Sequence, residues 1–233
     1  MSEIFHVHSF RCKHAGNAPD SAYIKKAVEL GASKITFTDH APFPDNPFGN
    51  RMDISELPEY IGTLNCLKTE YKNHIEVVVG LEIEFIPMYL DYYQELYNLP
   101  GLDMLMIGQH FYQHEDGRYS FSDSLEFRKT NEATGVIDAI IKGIETDMFT
   151  VVAHPDRAFR YCAHWTDTQE ALSRKLICAA LKHNVKLELN ESSKKKGLFR
   201  KEFWSLLSEV GKATDDIVIK GLDAHSVKEL TLL

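Results

Sequence analysis

Cysteine is scarce and scattered: Cys12, Cys66, Cys162 and Cys178 form no C-x-x-C pair. That spacing excludes a zinc ribbon and a disulfide framework, and it predicts reduced, buried thiols. No apolar run approaches the roughly 18 residues that a transmembrane helix needs, and polar residues reach the first positions, Met1-Ser2-Glu3. A soluble cytoplasmic protein is expected. Basic residues are in deficit, 26 Lys and Arg against 34 Asp and Glu, a formal net charge of -8. This argues against nucleic acid or an anionic membrane as partner and towards a small molecule, for which a local basic patch suffices. Linkers, low-complexity stretches and internal repeats are also missing, so the 233 residues are expected to form one domain, 1–233.

What is present is a recurring alternation. Seven short Val/Ile/Leu-rich segments, near Ile4–His8, Lys34–Thr38, Ile75–Glu82, Asp103–Gly108, Phe149–Ala153, Val185–Leu189 and Ile217–Gly221, read as strands. Several are continuous apolar runs, as in parallel sheets covered on both faces. Between them, Asp20–Leu30, Asn131–Thr146, Thr168–His183 and Arg200–Gly211 carry apolar residues at helical spacing. Periodicity alone leaves an α/β barrel and an open doubly wound sheet equally open. The stretch Ala41–Glu56, with Pro42, Pro44, Pro47 and Gly49, reads as a long loop after the second strand.

Nearly every predicted strand finishes in a histidine or an acid. The ends are His6-Val7-His8, Thr38-Asp39-His40, Gly80-Leu81-Glu82, Gly108-Gln109-His110, Ala153-His154-Pro155-Asp156 and Leu222-Asp223-Ala224-His225, with His14 in the loop after the first; only the sixth ends more mildly, in Leu189-Asn190. Residues two apart on a strand share a face, so His6 and His8 can address one ion. In a parallel barrel all these ends meet at one rim, which favours the barrel. Nitrogen and carboxylate donors without thiolates suit Zn²⁺, Mn²⁺ or Fe. They exceed the needs of one tetrahedral ion, and a multinuclear centre suits phosphate ester hydrolysis.

These pieces, together with the Lys13-His14-Ala15 step and Gln109-His110-Phe111, occur in the order found in the polymerase and histidinol phosphatase (PHP) superfamily, and the sequence resembles its histidinol-phosphate phosphatases. The resemblance implies a distorted (β/α)7 TIM-like barrel carrying three divalent ions. It assigns His6, His8, Glu82 and Asp223 to one ion, a bridging Glu82 with His110 and His154 to the second, and His14, His40 and His225 to the third. It further implies a phosphomonoesterase in which a hydroxide between the metals attacks phosphorus, with L-histidinol phosphate as first substrate. Another small phosphate ester, a phosphotyrosine or a nucleotide remains open, as does a noncatalytic metal-binding role. Asp39, Glu82 and Asp223 are the expected catalytic carboxylates, Asp39 orienting His40 or moving a proton and Asp156 doing the same beside His154.

Arg157 and Arg160, just past the fifth strand, are the expected phosphate-binding cations. Arg118, Glu115 and Asn190 are further candidate substrate contacts. His74, His114, His164 and His183 lack strand-end placement and read as ordinary surface or core histidines, and Lys194–Lys196 as a solvated loop. The chain stops eight residues after His225, where the family usually continues into a closing helix. A covering neighbour, and so a homo-oligomer, is one expected consequence.

Overall fold

The computed structural model describes residues 2–124, 132–210 and 216–233. Its chain forms two compact units. The first comprises Met1–Ile83, Glu95–Met106 and Lys220–Leu233; the second comprises Glu84–Gln94 and Ile107–Ile219.

In the first unit, β1 (Glu3–Val7), β2 (Lys34–His40), β3 (Glu76–Ile83) and the start of β4 (Met104–Ile107) are successive neighbours. The β2–β3 pairing is parallel and unbroken from Lys34↔Glu76 to His40↔Glu82. Ile35, Phe37, Val77, Val79 and Leu81 are fully or almost fully buried, which explains why these strands read as apolar runs. Helix α1 (Asp20–Glu29) buries Tyr23, Ile24 and Ala27, one helical stripe. From α2 (Leu57–Glu70), the buried Tyr60 hydroxyl donates to the Gly80 carbonyl at 2.8 Å. Gly80 is required by close approach: a Cβ there would stand 2.8 Å from Met104 Cγ and 3.0 Å from the Phe37 carbonyl oxygen. On its other side β1 meets residues 222–224, where Leu222 N–H donates to the Phe5 carbonyl at 2.9 Å and Val7 pairs with Ala224 in parallel.

In the second unit the last residue of β4, then β7 (Val151–Val152), β8 (Lys186–Asn190) and the start of β9 (Val218–Gly221) follow one another. Ala153 N–H reaches the Ile107 carbonyl at 2.8 Å, β7 and β8 are parallel, and Leu187 N–H reaches the Ile217 carbonyl at 2.7 Å. The core is built by α4 (Ala133–Ile144), α5 (Asp167–His183) and α7 (Lys201–Val210), through Val136, Ile137, Ile140, Leu172, Leu176, Ile177, Phe203 and Leu207. Of α3 (Leu90–Tyr97), Tyr93 belongs here. Its hydroxyl accepts from Ile86 N–H at 2.8 Å and donates to the Glu84 carbonyl at 2.9 Å, fixing the segment past β3.

All seven expected strands exist, within two residues at most ends; the fifth is shorter, two residues where five are expected. The expected helix ends at Asn131 and Gly211 fall outside the described residues. An antiparallel hairpin not foreseen, β5 (Phe111–Gln113) with β6 (Tyr119–Phe121), turns at Asp116-Gly117, with Gly117 left-handed at φ 84°. Among the described residues no helix is long and apolar enough to cross a membrane.

Candidate metal centre

Seven of the expected ligands belong to the first unit, and their side chains converge. His6 and His8 leave the end of β1, where the parallel register shifts between Ile4 and Val7 and His6 is left-handed (φ 66°). The two rings therefore meet through a bulged strand and not through ideal alternation, with Nε2 to Nε2 at 2.9 Å. Glu82 Oε2 lies 3.4 Å from His6 Nε2 and 3.5 Å from His8 Nε2, and Asp223 Oδ1 lies 3.8 and 3.5 Å from the same two atoms. His40 Nδ1 is 3.2 Å from Glu82 Oε2. Donors about 2.0–2.1 Å from one tetrahedral zinc stand about 3.3 Å apart, the spacing seen here.

The rings of His14, His40 and His225 stand close by, His14 being 5.4 Å from His40 and 4.5 Å from His225 by ring centroids. One donor atom of each lies within 4.8 Å of the others, as is also true of His6, His8 and Glu82. Asp223 (φ 52°) joins His6 among left-handed non-glycine residues, a conformation that costs of order 1–3 kcal/mol and clusters at functional sites.

The donor set fits a cation on chemistry as well as spacing. Burial, then the charge of His225, pushes His8 down to about 3, so its imidazole is neutral with a lone pair available. Burial lowers His14 too. Burial alone would raise Asp223, but His6, His8 and His225 together hold it well below the usual carboxylate range. The buried His8 Nδ1 and His225 Nε2 have no hydrogen-bond partner among the described residues, an expensive state for a polar atom that serves no ligand.

Asp39 is fully buried, and its Oδ1 accepts the Ser9 N–H at 2.8 Å, tying β2 to the turn after His8. Burial pushes its carboxyl up to about 7. Its contact is thus with the loop of β1, where a contact with His40 was expected. Behind that turn, Arg11 places Nη1 at 2.9 and 2.8 Å from the two Asp20 oxygens, and both residues are buried.

In the second unit His110 and His154 form a second imidazole pair, with ring centroids 4.8 Å apart. Each is held by a buried acid that sequence reading missed. Glu84 Oε1 sits 2.9 Å from His110 Nδ1 while its Oε2 accepts the His110 N–H at 2.6 Å. Glu188 Oε2 accepts the His154 N–H at 2.9 Å and an Asn190 amide N–H at 3.1 Å. Asp156, expected beside His154, instead accepts the Arg200 N–H at 2.8 Å. For His110, whose Nδ1 faces Glu84, fixing the imidazole through its other nitrogen sets its tautomer and basicity, whereas Glu188 holds His154 through the backbone N–H.

Arg157 and Arg160 are brought together through Asp123. Arg157 donates to Ser122 Oγ and Asp123 Oδ2, both at 2.8 Å, and Arg160 donates to Ser193 Oγ at 2.5 Å with Asp123 Oδ2 3.8 Å away. Asn190 caps α6 (Glu191–Lys195), accepting the Ser193 N–H at 2.7 Å. Glu115 and Arg118 lie at the β5–β6 turn, where Arg118 pairs with Asp116 at 2.7 Å. Of the histidines read as ordinary, His114 meets Ser120 Oγ at 2.6 Å and His183 meets Asp147 at 2.7 Å.

The model of the PHP domain family matches residues 5–192, and the chain belongs to that family. The histidinol-phosphatase of Bacillus subtilis is 29% identical over 145 residues, 58% of this chain and 54% of that protein. The curated relatives are matched over 28–54% of their length. Two solved structures share the fold at 18% identity. A candidate histidinol phosphatase from Listeria monocytogenes aligns over 98% of this chain and 97% of its own with a TM-score of 0.79. The histidinol phosphate phosphatase of Lactococcus lactis, solved with zinc, L-histidinol and phosphate, aligns over 97% and 87% with a TM-score of 0.72. The fold class is therefore the distorted α/β barrel of seven parallel strands, not the open doubly wound sheet.

Proposed function

We propose that this chain is a metal-dependent phosphomonoesterase that hydrolyses L-histidinol phosphate to L-histidinol and phosphate. The observation that carries the reading is the convergence of His6 Nε2, His8 Nε2, Glu82 Oε2 and Asp223 Oδ1 at 2.9–3.8 Å, a set of nitrogen and carboxylate donors at the spacing of one ion's ligands. His14, His40 and His225 supply a neighbouring set, and His110 and His154 a further one, in keeping with three divalent ions drawn from Zn, Mn and Fe. Such ions, when bound, neutralise phosphoryl charge and lower the pKa of water to near neutrality.

The protein's own groups orient and bind. Glu84 and Glu188 hold His110 and His154 in place, and Asp39 anchors the turn that follows His8. Arg157 and Arg160 offer planar, permanently charged forks to the phosphate oxygens, with Asn190 and Ser193 beside Arg160. A small phosphorylated substrate also agrees with the net charge of -8, which disfavours polyanions.

The test is turnover of p-nitrophenyl phosphate after stripping and restoring metal. Activity should vanish on chelation, return with Zn²⁺, Mn²⁺ or Fe²⁺, and be lost in His8→Ala and Asp223→Ala while the melting temperature of the metal-free protein barely moves. Failure of every metal to restore turnover would replace this reading with a noncatalytic metal-binding one.

A further inference from the structure

The two guanidinium groups read as phosphate-binding forks already hold an anion of the protein's own. Asp123 Oδ2 lies between them, 2.8 Å from Arg157 Nη2 and 3.8 Å from Arg160 Nη1. Each arginine also has an anchor apart from this acid: Arg157 Nε donates to Ser122 Oγ at 2.8 Å, and Arg160 Nη2 donates to Ser193 Oγ at 2.5 Å. Neither fork therefore depends on Asp123 alone for its place. The side chains are 10% exposed for Arg157, 6% for Arg160 and 25% for Asp123, so the acid is the member most open to solvent. Its backbone is pinned on both sides, with Ser122 N–H on the His110 carbonyl and Ser124 N–H on the Phe121 carbonyl, both at 2.8 Å. The carboxylate can leave the arginines by a change of side-chain rotamer, with the chain itself staying in place.

We infer that Asp123 sets the phosphate affinity of this protein, its carboxylate taking the place of a phosphate oxygen between Arg157 and Arg160 until phosphate displaces it. This rests on the phosphomonoesterase reading, with the two arginines as its anion site, and names what regulates that site. A carboxylate and a phosphate present the same kind of acceptor to a guanidinium fork, so they compete for the same N–H donors, and their like charges disfavour holding both at once. Phosphate binding is weakened by whatever displacing Asp123 costs. In the substrate-free protein the same carboxylate offsets the repulsion between two neighbouring, largely buried cations. It also has a use in turnover: the product is inorganic phosphate, and a carboxylate that returns to the arginines as phosphate leaves speeds a release step that often limits an enzyme's rate.

The experiment titrates inorganic phosphate into the zinc-loaded full chain by calorimetry and measures its Ki against p-nitrophenyl phosphate. Three proteins are compared: wild type, Asp123→Asn, and Asp123→Asn combined with Arg157→Gln. Asparagine keeps the shape and an acceptor for Arg157 while removing the charge. Asp123→Asn is expected to bind phosphate about fivefold more tightly or better, the worth of one partly exposed ion pair, with a lower KM for the ester, and the added Arg157→Gln is expected to abolish the gain. A carboxylate that only props up the arginines predicts the reverse, weaker phosphate binding once it is gone. Unchanged or weaker binding in Asp123→Asn, with wild type turning over the ester, overturns the competitor role and leaves the phosphomonoesterase reading standing. A wild type that binds phosphate and turns over no ester overturns that reading, and the calorimetric comparison still decides the role of Asp123. A wild type that does neither overturns both. Should Asp123→Asn fail to fold, Asp123→Ser, smaller and still an acceptor, is judged by the same criterion.

Discussion

Replacing Glu84 with Gln tests how this protein prepares an imidazole for a metal. Glu84 faces three donors: its Oε1 is 2.9 Å from His110 Nδ1, and its Oε2 accepts N–H groups of His110 at 2.6 Å and Phe111 at 3.3 Å. Glutamine keeps one acceptor oxygen. The two backbone N–H groups are fixed and cannot become acceptors, so the oxygen stays with them and the amide N–H₂ turns to His110 Nδ1. That nitrogen must then accept, which places the imidazole proton on Nε2 and removes the lone pair that would bind metal. Loss of such an orienting partner typically costs 10–100-fold in metal affinity. Because the tautomer itself is reversed, the upper end is expected, about 100-fold or ~2.7 kcal/mol. Competition with a chromophoric chelator gives the Kd, and imidazole nitrogen shifts by NMR of the metal-free protein report the tautomer. An affinity within twofold of wild type, or a His110 that keeps its proton on Nδ1 in Glu84→Gln, would refute the reasoning.

Two further outcomes follow from buried contacts in the first unit. Arg11→Met strands the buried Asp20 carboxylate and should destabilise by about 3–5 kcal/mol at pH 8. Burial already raises Asp20 and loss of Arg11 raises it further, so at low pH the group is neutral in the folded state and the deficit shrinks as pH falls. Denaturant melts at pH 8 and pH 5 read this, and an equal or larger deficit at pH 5 would contradict it. Gly80→Ala places a methyl 2.8 Å from Met104 Cγ and 3.0 Å from the Phe37 carbonyl oxygen, between two neighbouring strands. It should cost about 1–3 kcal/mol by overpacking, seen as a lower denaturant midpoint at unchanged m-value; an unshifted midpoint would show that β2 and β4 part freely.

The strands were legible because parallel strands covered on both faces, such as Val77 to Leu81, leave a continuous apolar trace between polar ends. The candidate ligands stood out for the same reason: an imidazole or carboxylate that follows such a run has no packing role to explain it. Glu84 and Glu188 escaped notice because each lies beside a stronger signal, two residues past Glu82 or inside the β8 run, and its work is done across space for His110 and His154. Asp39 was paired in expectation with His40, next to it on β2, whereas adjacent residues on a strand point to opposite faces, and its partner is Ser9; Asp156 lies past the end of β7, two residues beyond His154, where no strand geometry fixes its direction, and it accepts from Arg200. The β5–β6 hairpin has strands of three residues, too short for alternation to show, though Asp116-Gly117 is a turn signature that could have disclosed it.

The most direct measurement is kcat/KM of the purified full chain across a panel of phosphate esters, before and after metal removal. The account predicts that L-histidinol phosphate leads the panel and that its hydrolysis ceases when the ions are stripped. Preference for another ester by more than tenfold, or a rate indifferent to chelation, would contradict it.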